Sequence, residues 1–379
     1  MATESTTVAA TTRRSTKLLA DLPTPALVYD LDAVERTVGL LRRDTGVLPD
    51  AVLCFAVKAN RSPPILRRLA ELGIGADVAS VGELELAATA GLAPVFATGP
   101  AFGAEELRAL ADRGVVPDLD SVSQLRIWRA TFPERREIGL RIRVPVAQQR
   151  RQFAARNPWS RFGVDPLDPL VHAELERGEL EVRQLHVHAG EVYSAEAMES
   201  LGDVLVEAAR AFEQVTTVNF GGGLEYLRTD YAASIESWRR LAPKLRGLRV
   251  VLEPGRLLMS GAGYLVTTAR AVERAGSGRL VTVDTSAWNL MPWFRSRVVD
   301  VFPRREGEPV PHSVAGCTCY EDDYFVRDQP LPRIAIGDRL VLDAAGAYAS
   351  SLARHTHALP TPTEWVVEGG RLRRAEDGT

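Results

Sequence analysis

CFAVKAN, residues Cys54 to Asn60, sets one ammonium, Lys58, at the end of a run from Ala51 that otherwise reads as a buried strand. A lysine at a strand end ordinarily extends its head to water. Desolvated at the mouth of a barrel, the same side chain loses basicity, and its neutral amine can condense with a carbonyl. The rest of the chain has to say which of these Lys58 does.

Outward from that stretch, β-rich apolar runs alternate with amphipathic helical segments, the pattern of a parallel sheet wrapped by helices. Strands are expected at Ala51–Lys58, Ala76–Ala79, Val95–Thr98, Val116–Leu119, Ile138–Val144, Val182–His188, Thr217–Phe220 and Arg249–Glu253. Helices are expected at SPPILRRLAEL, SVGELELAATA, GAEELRALADR, SVSQLRIWRAT and AEAMESLGDVLVEAARAFEQV, most opened by Ser, Gly or Pro. Eight strand–helix units fit a closed (β/α)8 barrel, which typically takes ~250 residues. After Arg256 the texture changes to β-branched runs and turns, as in GYLVTTARAVERA and RIAIGDRLVLDAAGAY, which reads as a separate all-β domain. The short strand PALVYDL, Pro25 to Leu31, could pair with that domain and make it discontinuous. The expected division is a disordered leader over 1–18, a barrel over 32–262, and a β domain from 19–31 plus 263–379. Gln148 to Arg151, QQRR, reads as loop.

A chain of 379 residues, 45% hydrophobic and with formal charge −3, has a core but no general basic surface, so nucleic acid is not expected as a partner. Three cysteines, Cys54, Cys317 and Cys319, do not make a disulfide framework. No export signal and no run of ~20 apolar residues is visible, so the expectation is a reduced cytoplasmic enzyme with no membrane partner.

In a barrel of this kind, chemistry gathers where the strands end. Lys58 ends the first expected strand, Asp77 lies in the second, Arg141 in the fifth, and His186 and His188 end the sixth. Gly221 to Gly223 follow the seventh strand, and Glu253-Pro-Gly-Arg256 ends the eighth. Three glycines let backbone N–H groups approach an anion, although the same triplet is equally a turn; Arg256 favours phosphate, whose geometry it matches bidentately. A lysine, a carboxylate and a phosphate cradle on one rim are what pyridoxal 5'-phosphate requires.

The pairs His186/His188 and His355/His357 offer another reading. Residues i and i+2 of a strand share a face, so each pair could chelate Zn2+ and make a metal-dependent barrel hydrolase. That reading leaves Lys58, the glycines and the Glu253–Arg256 run without a task. Cys317 and Cys319 lack the second pair that a structural zinc site needs.

The ordered set YDL, CFAVKAN, GADVASVGEL, LRIRV, RFGV, HVHAGE, NFGGG, EPGR, CTC and GAY, running from Thr24 to Ser351, resembles the fold-type III pyridoxal phosphate decarboxylases of diaminopimelate, ornithine and related amino acids. The resemblance implies that Lys58 is the Schiff-base lysine, that Gly221, Gly222, Gly223 and Arg256 hold the phosphate, and that Glu253 pairs with the pyridine nitrogen. It also implies that His188 stacks on the cofactor ring, that Asp77 and Arg141 orient the lysine and its network, and that Tyr348 lies near the phosphate. Cys319 resembles the cysteine that a partner subunit contributes to a homodimer's shared site, and Asp284 an aspartate near the far end of the substrate. An acid at Glu253 keeps the ring nitrogen protonated, which favours loss of CO2 over racemisation; related racemases carry an arginine there. Either Cys319 or Lys58 could then return a proton to the product carbon.

Three positions depart from the family pattern. Glu191 stands where a serine usually offers the phosphate a hydroxyl, and is expected to turn away or face substrate. Met291 precedes Pro292 in NLMPWF, where diaminopimelate decarboxylases place an arginine for the distal carboxylate. Tyr320 follows Cys319 in place of an acid, with Glu321, Asp322 and Asp323 just beyond. Without that arginine, diaminopimelate is disfavoured. Asp284, Glu191, Tyr320 and Asp323 would suit a distal amine, and Trp288 and Trp293 could wall a larger substrate. The expected substrate is an L-amino acid or an amino-acid-derived biosynthetic intermediate.

Overall fold

The computed structural model describes residues 18–144, 160–224, 227, 231–290 and 296–376. The expected leader, the QQRR loop and the Met291, Pro292 and Trp293 positions lie outside the described residues, apart from Leu18. The chain divides into two compact units. One takes in the described residues up to Arg36, Ala59–Ile65 and everything from Leu258; the other is Thr37–Lys58 with Leu66–Leu257.

The second unit is a closed parallel barrel of β2 (Ala51–Ala56), β3 (Gly75–Val78), β4 (Val95–Thr98), β5 (Pro117–Leu119), β6 (Glu137–Arg141), β7 (Glu181–His186), β8 (Thr217–Asn219) and β9 (Arg249–Leu252). Pairing of Ala51, Val52 and Leu53 with Val250, Val251 and Leu252 closes it. The expected (β/α)8 fold is therefore present, with strands ending earlier than the sequence suggested: Lys58 sits on a 3-10 turn, Val57–Ala59, and His188 and Glu253 lie beyond their strands. Lone backbone bonds carry the ladder a residue further, as from Val187 N–H to the Asn219 carbonyl at 2.9 Å and from Glu253 N–H to the Gly221 carbonyl at 2.9 Å.

Local signals set the helix starts. Ser80 and Ser121 accept from the backbone N–H groups of Glu83 and Gln124, whose side chains reach back to Ala79 N–H and Asp120 N–H. This reciprocal arrangement satisfies N–H groups that a helix start leaves open. The long helix after Ser194 stops at Ala211, short of the expected Val215. Leu31–Thr45 forms a helix that the sequence reading did not anticipate.

In the other unit, β1 (Ala26–Asp30) lies between β10 (Gly263–Ala275), antiparallel to it, and β16 (Thr363–Glu368), parallel to it. The remaining strands are β11 (Gly278–Val283), β12 (Val298–Phe302), β13 (Val310–Ala315), β14 (Tyr324–Leu331), β15 (Arg339–Leu342) and β17 (Arg371–Arg374). They complete a nine-stranded sheet in which β1 is wholly buried. A five-residue strand recruited from the start of the chain thus belongs to the all-β sheet.

Candidate active site

The register of the barrel sets Asp77 opposite Ala56, two residues before Lys58. Lys58 Nζ donates to Asp77 Oδ2 at 2.8 Å, with the carboxylate side chain 4% exposed and the lysine 42%. The expectation of a desolvated lysine is corrected: the turn that carries Lys58 brings its head out of the apolar wall, and a buried acid aims it. Burial and neighbouring Glu253 push the Asp77 carboxyl up, against the pull of Lys58.

Glu253 is buried beyond β9 and accepts from Asn219 Nδ2 at 2.6 Å. Burial pushes its carboxyl up, while Lys58, the Asn219 amide and Arg141 pull it down. Asn219 also accepts from Gly221 N–H at 2.9 Å, so one amide ties the acid to the glycine turn.

Deeper in the barrel, Thr98 donates to Asp118 Oδ2 at 3.0 Å and lies 3.2 Å from His186 Nδ1. Gln184 donates to Asp118 Oδ1 at 2.6 Å. Burial foremost pushes Asp118 up to about 8. Burial, then Arg141, pushes His186 down to about 3, so its imidazole is neutral. A Cβ on Gly139 would stand 2.2 Å from Asp118 Oδ1, so only glycine leaves room for this carboxyl.

Arg141 lies in a buried ion pair. Its guanidinium meets Asp120 Oδ2 at 3.1 Å and covers the Phe162 ring at 4.5 Å, with the side chain 9% exposed. Asp120 is fixed in turn by Gly163 N–H at 2.9 Å. The arginine influences the site by its field, on His186 and Glu253, from a buried ion pair.

The glycine triplet is partly satisfied within the chain. Gly222 N–H donates to His188 Nδ1 at 3.2 Å, and Gly221 N–H to Asn219, so these two do not stand open as the sequence reading supposed. Gly223, at φ +78°, brings the chain so close that a Cβ would lie 1.8 Å from the Gly190 carbonyl oxygen. Val192 N–H then bonds the Gly223 carbonyl at 2.7 Å. Glu191, between them, does not turn away: its Oε1 lies 2.8 Å from Arg256 Nη2.

In the β unit, both expected acids are engaged. Asp284 accepts from Thr24, Thr267, Thr268 N–H and Arg270 at 2.7, 2.6, 3.0 and 3.1 Å. Asp323 is buried and accepts from Trp288 N–H and twice from Thr318. Each holds strands and turns together. Cys319 is exposed, and its N–H donates to His357 Nε2 at 3.1 Å. Tyr320 stacks on Trp288 with centroids 4.9 Å apart, and Arg354 covers Trp288 at 4.7 Å. Tyr348 adopts φ +60° and donates its N–H to the Ala59 carbonyl at 2.7 Å.

The metal alternative has no geometric basis among the described residues. His186 and His188 bond different neighbours, and His355 precedes and His357 lies within a 3-10 turn, Thr356–Ala358, instead of sharing a strand face. No group of three His, Cys, Asp or Glu side chains there could hold an ion.

A family model described as "Pyridoxal-dependent decarboxylase, pyridoxal binding domain" matches residues 32–260. The chain belongs to the pyridoxal-dependent decarboxylase family. It is a pyridoxal phosphate-dependent amino-acid decarboxylase, a carboxy-lyase. Among relatives, the Aquifex aeolicus diaminopimelate decarboxylase is 27% identical, over 92% of this chain and 88% of its own. A Helicobacter pylori diaminopimelate decarboxylase solved with L-lysine shares the fold, with TM-score 0.79, 22% identity and 95% of both chains covered. The Selenomonas ruminantium lysine decarboxylase has TM-score 0.79 and 26% identity, covering 94% of this chain and 95% of its own. The decarboxylase's own residues fit the cofactor: an accessible amine beside a buried acid, a second buried acid, and an arginine that already binds an anion, the Glu191 carboxylate.

Sequence reasoning missed Thr98, Asp118, Asp120, Gln184 and Asn219. Asp118 and Asp120 alternate in PDLD, and charge at alternate positions of a buried strand end is the signal that could have found them.

Proposed function

We propose that this decarboxylase acts on an L-amino acid whose side chain ends in an unsubstituted amine, a diamino acid of the lysine and ornithine class, in preference to diaminopimelate. Met291 supports this choice, because the family's diaminopimelate enzymes resemble one another in an arginine at that place, and methionine offers a distal carboxylate nothing. The Selenomonas relative's name, lysine decarboxylase, points the same way, while the Aquifex and Helicobacter names point to diaminopimelate.

The observation that carries the site reading is the 2.8 Å bond from Lys58 to Asp77 on the rim that also holds buried Glu253. Lys58 would anchor the cofactor's aldehyde, with Asp77 aiming its amine. Glu253, fixed by Asn219, would sit against the ring nitrogen, His188 against the ring face, and Arg256 with the glycine turn and Tyr348 around the phosphate. Bound there, pyridoxal 5'-phosphate supplies an electron sink for the carbanion left when CO2 departs. Neutral His186 leaves the charge of this interior to Lys58, Arg141 and the carboxylates. Lys58 Nζ or Cys319 Sγ would deliver the proton that replaces the carboxylate.

The reading extends to a cytoplasmic homodimer in which Cys319 serves the partner's site, and to domain limits at 32–262 for the barrel and 19–31 plus 263–379 for the β domain. Among the described residues no helix is long and apolar enough to cross a membrane. CO2 release from L-lysine, L-ornithine and meso-diaminopimelate tests the substrate. Faster turnover of L-lysine or L-ornithine is expected, and preference for diaminopimelate would overturn the proposal.

A further inference from the structure

Arg256 Nη2 lies 2.8 Å from Glu191 Oε1, with the two side chains 24% and 34% exposed. The carboxylate is held there by backbone. Gly190 adopts φ +81°, its carbonyl lies where a Gly223 Cβ would go, and Val192 N–H bonds the Gly223 carbonyl at 2.7 Å. These contacts clamp the residues on either side of Glu191 against the glycine turn. A long mobile side chain on a loose loop would be an incidental partner for Arg256; one sprung from a clamped backbone is a built-in one.

Guanidinium takes carboxylate and phosphate through the same N–H fork, so both anions compete for one face. A fixed carboxylate also repels a dianion brought to the same place, and that repulsion is felt more strongly at a partly buried site than in bulk water.

We propose that Glu191 is an internal anion that competes with the cofactor's phosphate for Arg256, so that this decarboxylase binds pyridoxal phosphate more weakly and releases it more readily than the same site without that carboxylate would. The inference rests on Arg256 being a phosphate residue, as proposed above. Cofactor binding then requires the Glu191–Arg256 pair to open, and the side chain at 191 sets the affinity of the holoenzyme.

The test is a titration of cofactor-stripped full-length protein with pyridoxal phosphate, reading Kd from the visible absorbance of the bound cofactor. Glu191→Gln keeps the shape and removes the charge, and should tighten Kd on the order of tenfold, the scale of one charged hydrogen bond. Glu191→Asp draws the carboxylate back from Arg256 and should tighten it less; it serves as the measurement if the glutamine variant does not fold by circular dichroism. Inorganic phosphate should raise the melting temperature of the stripped Glu191→Gln protein more than that of wild type. Unchanged or weaker cofactor binding in the variants would overturn the proposal and make Glu191 a support for Arg256. If wild type and variants alike showed no bound cofactor, the site reading itself would fail instead.

Discussion

Lys58 Nζ and Asp77 Oδ2 stand 2.8 Å apart, the lysine side chain 42% exposed and the acid almost wholly enclosed. An acceptor that cannot move fixes the direction of a donor that can, which is how an amine on a short turn is kept aimed for reaction. Lys58→Ala should leave no cofactor covalently retained after borohydride treatment, checked by mass spectrometry of the intact protein. Asp77→Asn should keep the fold and lower kcat on the order of a hundredfold, read as CO2 release.

Asn219 holds Glu253 Oε1 at 2.6 Å, a bond that favours the ionised acid against burial. Asn219→Ala should therefore raise the Glu253 carboxyl further. The acidic limb of the pH–rate profile should shift to higher pH, with the alkaline limb unmoved.

Asp118, pushed up to about 8 in the folded protein, holds its proton where the unfolded chain, near 4, has lost it. The folded state binds more protons between these values, so this group's contribution to stability declines as pH rises through that window. Asp118→Asn keeps the shape without the titration. The variant should gain melting temperature relative to wild type at pH 8 compared with pH 5, checked by thermal melts at both.

Gly139→Ala should destabilise the barrel by about 1–3 kcal/mol, because its methyl group would enter the space of the Asp118 carboxyl. Pairing it with Asp118→Ala should recover part of the loss in denaturant titrations.

If Cys319 serves the partner's site, mixing Lys58→Ala and Cys319→Ala chains should restore about a quarter of wild-type activity, since half the dimers are hybrids and each has one intact site. Separate chains that never complement would place each site within a single subunit.

The barrel was legible because strands such as AVLCFA and helices opened by Ser80 and Ser121 carry their periodicity and caps locally. Lys58, Asp77 and Glu253 were legible as charges interrupting apolar strand ends. The Thr98–Asp118–Gln184 network was not, since it depends on which strands adjoin and on the gap left by Gly139 on a neighbouring strand. A carboxylate that fastens turns, as Asp284 and Asp323 do, looks in sequence like one awaiting a ligand. Glu191, on the loop that follows β7, meets Arg256, which lies beyond β9, a contact no spacing announces.

β1 is bonded on one side to β10 and on the other to β16, strands that leave the ribosome after all eight strands of the barrel. During synthesis its two edges wait, unsatisfied, while the barrel sequence emerges and can close as a unit. β1 is thus among the last strands to find its neighbours, so a message cut short after the barrel yields a nascent chain with β1 exposed, open to self-association and to the chaperones that guard against it.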